Sequence, residues 1–179
     1  MTLQEHFDYC KLPSPYTVDI LEHIDTLKEY ASKCDHVTEM GFRTGTSFTA
    51  FLMGQPKKLI SYDILLPNKI EDFFNQIRGN TEIKIIEGNT LEIEIEDTDL
   101  LFIDTLHTYV QLKLELKRHG HKAKKYMIFH DTTTFRNKGE DGRNLGLWDA
   151  IIEYLNDHPE WQIEKEFTNN NGLTILSRK

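Results

Sequence analysis

The chain has few of the residues that build disulfide frameworks, and it has no long apolar run. Its two cysteines, Cys10 and Cys34, form no metal-ligand spacing, so we expect two free thiols. No segment approaches membrane-spanning length, and the first residues lack the basic start and apolar stretch of a signal peptide. These absences predict a soluble, cytoplasmic protein without a membrane partner.

An excess of positive charge is also missing. Lys and Arg number 21 against 29 Asp and Glu, which gives a net charge of −8. Such a balance disfavours a nucleic-acid-binding surface and favours a small-molecule partner. With 179 residues, of which 39% are hydrophobic, the chain is long enough for one well-packed domain and short for two. We therefore expect a single domain spanning 1–179, and an oligomer is compatible with this composition.

What the chain does have is a glycine-containing turn between a predicted strand at 36–40 and a predicted helix at 47–53. Gly41 and Gly45 permit left-handed backbone angles and a close approach of ligand. The N–H groups and positive dipole end of the following helix suit a carboxylate or phosphate. The turn therefore indicates a site for a small anionic ligand, although a packing role for the glycines is the alternative. The spacing G-x-x-x-G fits neither a dinucleotide fingerprint nor a P-loop, which disfavours a nicotinamide oxidoreductase.

Short apolar strands alternate with helical stretches along the rest of the chain. Strands are predicted at 36–40, 58–62, 82–87, 100–103 and 126–129, and helices at 18–33, 47–53, 68–78, 110–117 and 147–156. The segments 161–167 and 173–176 flank Asn169-Asn170-Asn171-Gly172, a strong hairpin signal. This order predicts an α/β protein with a mostly parallel sheet covered on both faces.

Four segments do not follow from this alternation alone. Residues 110–117 alternate like a strand, but a crossover between parallel strands is usually helical, and we predict a helix. Residues 91–96 alternate in the same way and stay open between an edge strand and a loop. The polar residues 1–16 are expected to form an N-terminal arm, either ordered or facing the substrate as a flap. The charged segment 132–146 is expected to be a mobile substrate loop at the carboxyl edge of the sheet.

Acidic residues follow several predicted strands, where ligands of open α/β sheets bind. Asp63 ends the second strand, 63 − 41 = 22 residues after the first glycine. An acid in that place can accept hydrogen bonds from both hydroxyls of a ribose. The plain alternative is a helix-capping aspartate.

The pattern Glu39-x-Gly41-x-x-x-Gly45-x-Ser47 resembles motif I of the class I S-adenosylmethionine-dependent methyltransferases. The resemblance runs from about Val18 to the C-terminus. It implies a Rossmann-like three-layer sandwich, with a mostly parallel seven-stranded sheet ending in an antiparallel C-terminal hairpin. It also implies S-adenosylmethionine as cofactor, with Asp63 on its ribose and Asn89, in place of the acid usual in the family, on its adenine. The implied cofactor-binding residues are Glu39, Gly41, Arg43, Gly45, Thr46, Ser47, Asp63, Ile64, Asn89 and Asp104.

A second resemblance lies in residues 99–109 read together with 127–132. They resemble the Asp-x-x-His-x-Tyr and His-Asp patterns of a small family of sugar- and antibiotic-tailoring O-methyltransferases (Methyltransferase 24-like). That resemblance implies a divalent metal, Mg²⁺ or Mn²⁺, bound by Asp104, His130 and Asp131. His130 stands where relatives carry an Asp or Glu. An imidazole ligand shifts the preference toward Mn²⁺, Fe²⁺ or Zn²⁺.

The roles of three of these side chains stay open on sequence grounds. His107 can act as the general base on an acceptor hydroxyl, stack near the adenine, or cap a helix. Asp104 is a candidate catalytic residue and metal ligand, or it contacts the cofactor or caps the next helix. His130 is a metal ligand or a structural histidine at a strand end.

The sequence thus predicts O-methylation of a small-molecule hydroxyl by an S-adenosylmethionine-dependent, metal-assisted methyltransferase. One alternative is a metal-dependent hydroxylase or hydrolase on a similar fold, which would be active without the methyl donor. Another is a catalytically silent protein that binds the cofactor and transfers nothing. Cofactor binding and metal dependence discriminate among the three.

Overall fold

The computed structural model describes residues 1–15 and 17–179; Tyr16, at the end of the predicted arm, lies outside the described residues. Seven strands form one sheet: β1 (His36–Met40), β2 (Lys58–Asp63), β3 (Glu82–Glu87), β4 (Thr98–Ile103), β5 (Ala123–His130), β6 (Trp161–Phe167) and β7 (Leu173–Arg178). The α-helices are α1 (Leu3–Cys10), α2 (Ile24–Ala31), α3 (Thr46–Met53), α4 (Ile70–Ile77), α5 (Tyr109–His119) and α6 (Leu147–Asp157). Short 3-10 helices lie at Leu21–His23 and Gly120–Lys122.

The strand order is β3-β2-β1-β4-β5-β7-β6. Strands β1 to β5 run parallel, and β7 is antiparallel to both of its neighbours, β5 and β6. From β1 the chain moves outward to β2 and β3, then returns to the other side of β1 to form β4. This reversal opens a crevice between the carboxyl ends of β1 and β4, the position where such sheets bind ligands.

Each face of the sheet has its own hydrophobic core. In β4, Leu100 and Phe102 join one core, whereas Leu101 and Ile103 join the other, as alternation along a strand requires. The first core includes apolar residues of α1, α2, α3 and α4. The second core includes residues of α5 and α6. The predicted three-layer sandwich and its antiparallel C-terminal hairpin are confirmed.

The predicted helix at 110–117 is confirmed as α5. Its alternating pattern is explained by two apolar faces, because Leu112 and Leu116 are buried in the second core while Val110 and Leu114 are exposed. Residues 91–96 lie outside the named strands, which resolves them as a loop. The part of the chain that the structure describes contains no helix long and apolar enough to cross a bilayer.

The N-terminal segment is more ordered than its polar composition indicates. Thr2 caps α1 through a capping box with Glu5. Phe7 and Cys10 are buried in the first core, and α1 packs against α3. The predicted helix at 18–33 is shorter than expected: a 3-10 turn precedes α2, which begins at Ile24. Cys10 and Cys34 are free and buried.

Candidate active site

The turn after β1 requires glycine at its first position. Gly41 has a φ of +96°, and a Cβ atom there would lie 1.9 Å from the carbonyl oxygen of Asp104. The Gly41 N–H donates to the carbonyl of Tyr62 at 2.8 Å. Gly45, with a φ of +84°, precedes the first residue of α3 and packs against the rings of Phe42 and Phe74. The glycines therefore let the ends of three neighbouring strands meet around one crevice.

Asp63 fixes this turn from the end of β2. Its Oδ2 accepts the backbone N–H groups of Phe42 at 2.8 Å and Arg43 at 2.7 Å. Its Oδ1 accepts the Leu65 N–H at 3.2 Å. Arg43 itself adopts a left-handed φ of 49°, which the two hydrogen bonds around it help to hold. The aspartate thus shapes the turn in addition to facing the cleft.

Glu39 lies beneath the turn, fully buried. Its carboxylate accepts hydrogen bonds from the hydroxyls of Ser47 and Ser61, each at 2.5 Å. Burial raises the pKa of Glu39 to about 8, although the two hydroxyls oppose that shift. Any effect of Glu39 on a ligand would therefore pass through Ser47, which does face the cleft.

Two cavities meet at the switch point of the sheet. The first, of about 460 Å³, is lined by the predicted cofactor residues Gly41, Arg43, Thr46, Ser47, Asp63 and Asp104. The second, of about 470 Å³, is lined by Gly41, Asp63 and Asp104 together with Ile64 and Asn89. Because five residues border both cavities (Gly41, Asp63, Asp104, Thr105 and Glu140), the two form one cleft. Of the ten predicted cofactor residues, only Glu39 and Gly45 lie behind its wall.

Asp104 and Asp131 face each other across the end of the sheet, since they follow the adjacent strands β4 and β5. His107 lies between them. Its Nε2 is 3.1 Å from Asp104 Oδ1 and 2.9 Å from Asp131 Oδ2. Ligand atoms of these three side chains all lie within 4.8 Å of one another. The structure thus brings together the predicted catalytic pair, His107 and Asp104, and two of the three predicted metal ligands, Asp104 and Asp131.

His107 is held on two further sides. Its Nδ1 lies 2.6 Å from Glu140 Oε2, and its ring stacks on Phe135 at 4.8 Å with an interplanar angle of 4°. Burial lowers the pKa of His107, but the carboxylates of Asp104 and Asp131 outweigh it and raise that pKa to about 10. The imidazole is therefore protonated at neutral pH in this arrangement.

The two aspartates show the reciprocal effect. Burial raises the pKa of Asp104, but the charges of His130 and His107 outweigh burial and hold that pKa well below its ordinary range. For Asp131, the neighbouring imidazoles of His107 and His130 likewise lower the pKa against burial. Both carboxylates are consequently ionised and ready to accept a cation or a hydrogen-bond donor.

His130 is buried and positioned by the N-terminal segment. Its Nε2 lies 3.0 Å from the carbonyl oxygen of Asp19, which indicates a donated hydrogen bond. Its Nδ1 lies 3.3 Å from Asp104 Oδ2 and 3.5 Å from Asp131 Oδ2. Burial lowers the pKa of His130, but Asp104 raises it well above its ordinary value. His130 therefore lies beside both predicted carboxylate ligands, Asp104 and Asp131.

The donor set fits a divalent cation. Among the described residues, the buried His130 Nδ1 and Asp131 Oδ1 have no hydrogen-bond partner. Two carboxylates and two imidazoles suit Mn²⁺, Fe²⁺ or Zn²⁺ better than Mg²⁺. His107 is nearer to both carboxylates than His130 is, so the structure adds it as a candidate ligand.

Glu140 is the main site residue that the sequence did not single out. It belongs to the 132–146 loop, which lies folded against the site: the Glu140 N–H donates to the His107 carbonyl at 3.1 Å, and the Tyr109 N–H donates to the Leu145 carbonyl at 2.9 Å. Its charge was visible in the sequence, but 33 residues separate it from His107. No local pattern could have connected the two.

Asn89 lines the second cavity, but its side chain forms hydrogen bonds within its own turn. The amide oxygen accepts the Leu91 N–H at 3.0 Å, and the amide nitrogen donates to Glu92 at 3.0 Å. Such side-chain to backbone pairing is typical of an asparagine turn. Both ends of the amide are thus engaged locally.

The fold has clear counterparts among solved structures. One is the N-methyltransferase NodS from Bradyrhizobium japonicum WM9 in complex with S-adenosyl-L-homocysteine, 13% identical, covering 99% of both chains with a TM-score of 0.64. Another is magnesium protoporphyrin IX methyltransferase (ChlM) from Synechocystis PCC 6803 with bound S-adenosylmethionine, 10% identical, covering 94% of this chain and 86% of that chain with a TM-score of 0.68. No protein-family model matches the chain, and no curated protein matches it.

Strand order, the reversed β7 and these likenesses define the architecture as the class I methyltransferase fold. At such low sequence identity, the likeness establishes the fold alone.

Proposed function

We propose that this protein is an S-adenosylmethionine-dependent methyltransferase that acts on a hydroxyl group of a small molecule. One observation carries the proposal: two cavities share Gly41, Asp63 and Asp104 at the switch point of the sheet. A cleft in that position suits a ligand with an amino-acid end and a nucleoside end. The likeness to methyltransferases solved with this cofactor or its product supports the same assignment.

The cofactor would span the two cavities. Its charged methionine end would lie in the first, near Arg43 and the N-terminal N–H groups of α3, where a carboxylate is stabilised. Its ribose would lie at Asp63, on the border of both cavities. Its adenine would lie in the second cavity against Ile64 and Leu106, whose apolar side chains are 73% and 51% exposed. Flat rings bind well to such exposed apolar surface.

The acceptor would lie in the first cavity beside Asp104 and Asp131. These ionised carboxylates can accept a hydrogen bond from an acceptor hydroxyl and align it. A divalent metal bound by Asp104, Asp131 and a histidine would polarise the acceptor oxygen and lower its pKa. Because the His107 imidazole is protonated, it must lose a proton before it can act as a general base. Any cation shared by Asp104 and Asp131 would lower the pKa of His107, because those two charges are what raise it.

Calorimetric titration with S-adenosylhomocysteine tests the cofactor assignment. Wild type is expected to bind it, and Asp63→Asn is expected to weaken binding about tenfold to a hundredfold, because the substitution removes the charge that accepts from a ribose hydroxyl. The amide oxygen of the substituted side chain can still accept the turn N–H groups, so the turn survives. Asp157→Asn, on the exposed end of α6, is the matched control and is expected to bind like wild type. Absence of binding to wild type would contradict the proposal.

Mn²⁺ and Mg²⁺ are titrated separately, with Asp131→Asn as the variant expected to lose metal binding. Asparagine tolerates the left-handed φ of 60° that Asp131 adopts, so the backbone should be preserved. If metal-dependent turnover occurred without a methyl donor, a hydrolase or hydroxylase would replace the proposed function. Cofactor binding without transfer to any acceptor would support a silent binding protein.

An amine acceptor is the second candidate, and the charge of the first cavity favours it. Five carboxylates line that cavity, against the cations Arg43 and His107: Asp19, Asp63, Asp104, Asp131 and Glu140. Such a surface attracts ammonium groups. Methyl transfer to a panel of matched alcohols and amines, with and without Mn²⁺, separates the two. Metal-stimulated transfer to alcohols supports O-methylation, and metal-independent transfer to amines supports N-methylation.

A further inference from the structure

A buried polar network lies directly behind the second cavity. At its centre is Glu115 of α5, which is fully buried. Its carboxylate accepts the hydroxyls of Thr90 at 2.5 Å and Thr105 at 2.9 Å. It also accepts a hydrogen bond from Gln111 Nε2 at 2.9 Å. Thr90, Thr105 and Gln111 all line the second cavity, so Glu115 holds three residues of its wall from behind.

The network fixes which end of the Gln111 amide faces the protein. The Thr90 hydroxyl donates its proton to Glu115, so its oxygen accepts the second N–H of Gln111 at 3.3 Å. Both protons of Gln111 Nε2 are then used on interior acceptors. A reversed amide would direct its oxygen at the Glu115 carboxylate, which is repulsive. The amide oxygen of Gln111 is therefore the end left to face the cavity.

The Gln111 oxygen is a hydrogen-bond acceptor for a ligand in this cavity, a role that Asn89 does not fill. Asn89 lines the same cavity, but both ends of its amide are engaged within its own turn. Gln111 Oε1 has no hydrogen-bond partner in the described ranges 1–15 and 17–179, since both bonds of this amide use its nitrogen. An acceptor fixed in a cavity whose rim carries Ile64 and Leu106 matches a flat ring that bears an amino group.

We propose that Gln111, held in one amide orientation by Glu115 and Thr90, selects the 6-amino group of the cofactor's purine. The inference rests on the proposed function, because it concerns the adenine end of the same cleft. Gln111 is then the specificity-determining residue, and Glu115 is a positioning residue that acts through it. A site built around an ordered acceptor discriminates strongly against a ligand that presents another acceptor there.

Two probes test the assignment: S-adenosylhomocysteine and S-inosylhomocysteine, in which a carbonyl replaces the 6-amino group. Wild type is expected to bind the adenosyl probe at least about tenfold more tightly, because the inosyl carbonyl would face the Gln111 oxygen. Gln111→Leu is expected to bring the two affinities to within about threefold, mainly by weakening the adenosyl probe. Gln76→Leu, at an exposed glutamine of α4, is the matched control and should keep the wild-type ratio.

Glu115→Gln tests positioning. An amide at position 115 no longer dictates the orientation of Gln111, so the affinity ratio is expected to fall although Gln111 is unchanged. Thr90→Val, which keeps the side-chain shape and removes the hydroxyl, is expected to lower the ratio too. A purely structural role would weaken both probes equally and leave the ratio as in wild type. Circular dichroism of each variant verifies that it is folded.

The outcomes separate the two proposals. If wild type bound neither probe, both the cofactor assignment and the role of Gln111 would be overturned. If wild type preferred the adenosyl probe and Gln111→Leu kept that preference, only the role of Gln111 would be overturned. If Gln111→Leu lost the preference while Glu115→Gln and Thr90→Val both kept it, the positioning role of Glu115 would be wrong.

Discussion

At the scale of single residues, Gly41 and Gly79 offer a matched pair of left-handed glycines. Gly41 has a φ of +96° and lies against Asp104, whereas Gly79 has a φ of +62° and, among the described residues, a Cβ there would meet nothing within 4 Å. The two positions share the backbone strain of a substitution and differ in the space available. Comparing them isolates the cost of the close approach between β1 and β4.

Gly41→Ala is therefore expected to destabilise the fold by about 3 to 5 kcal/mol, the sum of left-handed strain and steric overlap with the Asp104 carbonyl. Gly79→Ala is expected to cost only about 1 to 2 kcal/mol, because strain alone remains. Urea denaturation of both variants and wild type measures the difference. Equal losses for the two variants would show that the close approach at Gly41 is not the constraint inferred here.

Glu39 makes stability depend on pH. Its pKa is raised to about 8 in the folded protein from an ordinary value of 4.5, mainly by burial. Between these two values the folded state binds more protons at this site than the unfolded state does. Stability is therefore expected to fall as the pH rises from about 5 to 8.

Glu39→Gln keeps the shape of the protonated acid and removes the titration. Because one pKa unit corresponds to about 1.4 kcal/mol, the variant is expected to remove on the order of 3 kcal/mol of the stability loss between pH 5 and pH 8. Urea unfolding at both pH values, with exposed Glu87→Gln as control, measures this difference. A wild-type pH dependence in Glu39→Gln would mean that the buried carboxyl does not titrate in this range.

At the scale of elements, α1 is part of the domain core. Phe7 on its inner face is 1% exposed, whereas Tyr9 on its outer face is 59% exposed. Phe7→Ala is expected to destabilise the protein by about 3 to 5 kcal/mol, through lost burial and the cavity left beside α3. Tyr9→Ala, an aromatic-to-alanine change on the same helix, is expected to cost no more than about 0.5 kcal/mol.

Chemical denaturation of these two variants decides whether α1 folds with the domain. If Phe7→Ala left the unfolding midpoint unchanged, residues 3–10 would behave as a detachable arm. The expected large loss would instead show that this segment is a structural element of the first core.

The hairpin turn between β6 and β7 joins two segments that border the cleft. Asn170 donates its side-chain amide to the Val18 carbonyl and accepts the Glu22 N–H at 2.9 Å. The Asn171 carbonyl accepts the N–H of Thr133 at 2.9 Å, at the start of the 132–146 loop. Positive φ angles at Asn170, Asn171 and Gly172 make this turn geometry possible. The Asn-Asn-Asn-Gly sequence that predicts the hairpin therefore also forms the contacts between this turn and two segments that border the cleft.

At the scale of the whole molecule, the sheet collects chemistry from distant parts of the chain. Asp63, Asp104 and Asp131 each lie at the end of a parallel strand, so they meet at one edge although up to 68 residues (131 − 63) separate them. The two cores cover opposite faces of the sheet, while the strand reversal between β1 and β4 leaves this edge open. The strand order thus determines both the fold and the position of the site.

The sequence by itself determined the strands, the α-helices other than α1, and the edge of the sheet at which the acids lie. Apolar periodicity placed the strands, glycines marked the turn at Gly41, and acids at strand ends had to share one edge because parallel strands point the same way. It could also indicate that α5 is a helix, from the geometry of a parallel crossover. These features depend on local residue preference and on topology.

Only the tertiary structure decided which side chains meet. It placed His107 between Asp104 and Asp131, brought Glu140 to the same imidazole, and joined Gln111 to Thr90 and Glu115 beside the second cavity. Contacts of this kind join residues that are far apart in sequence, or depend on the packing of several elements at once. The orientation and protonation of these groups follow from burial and neighbouring charge, which exist only after the chain has folded.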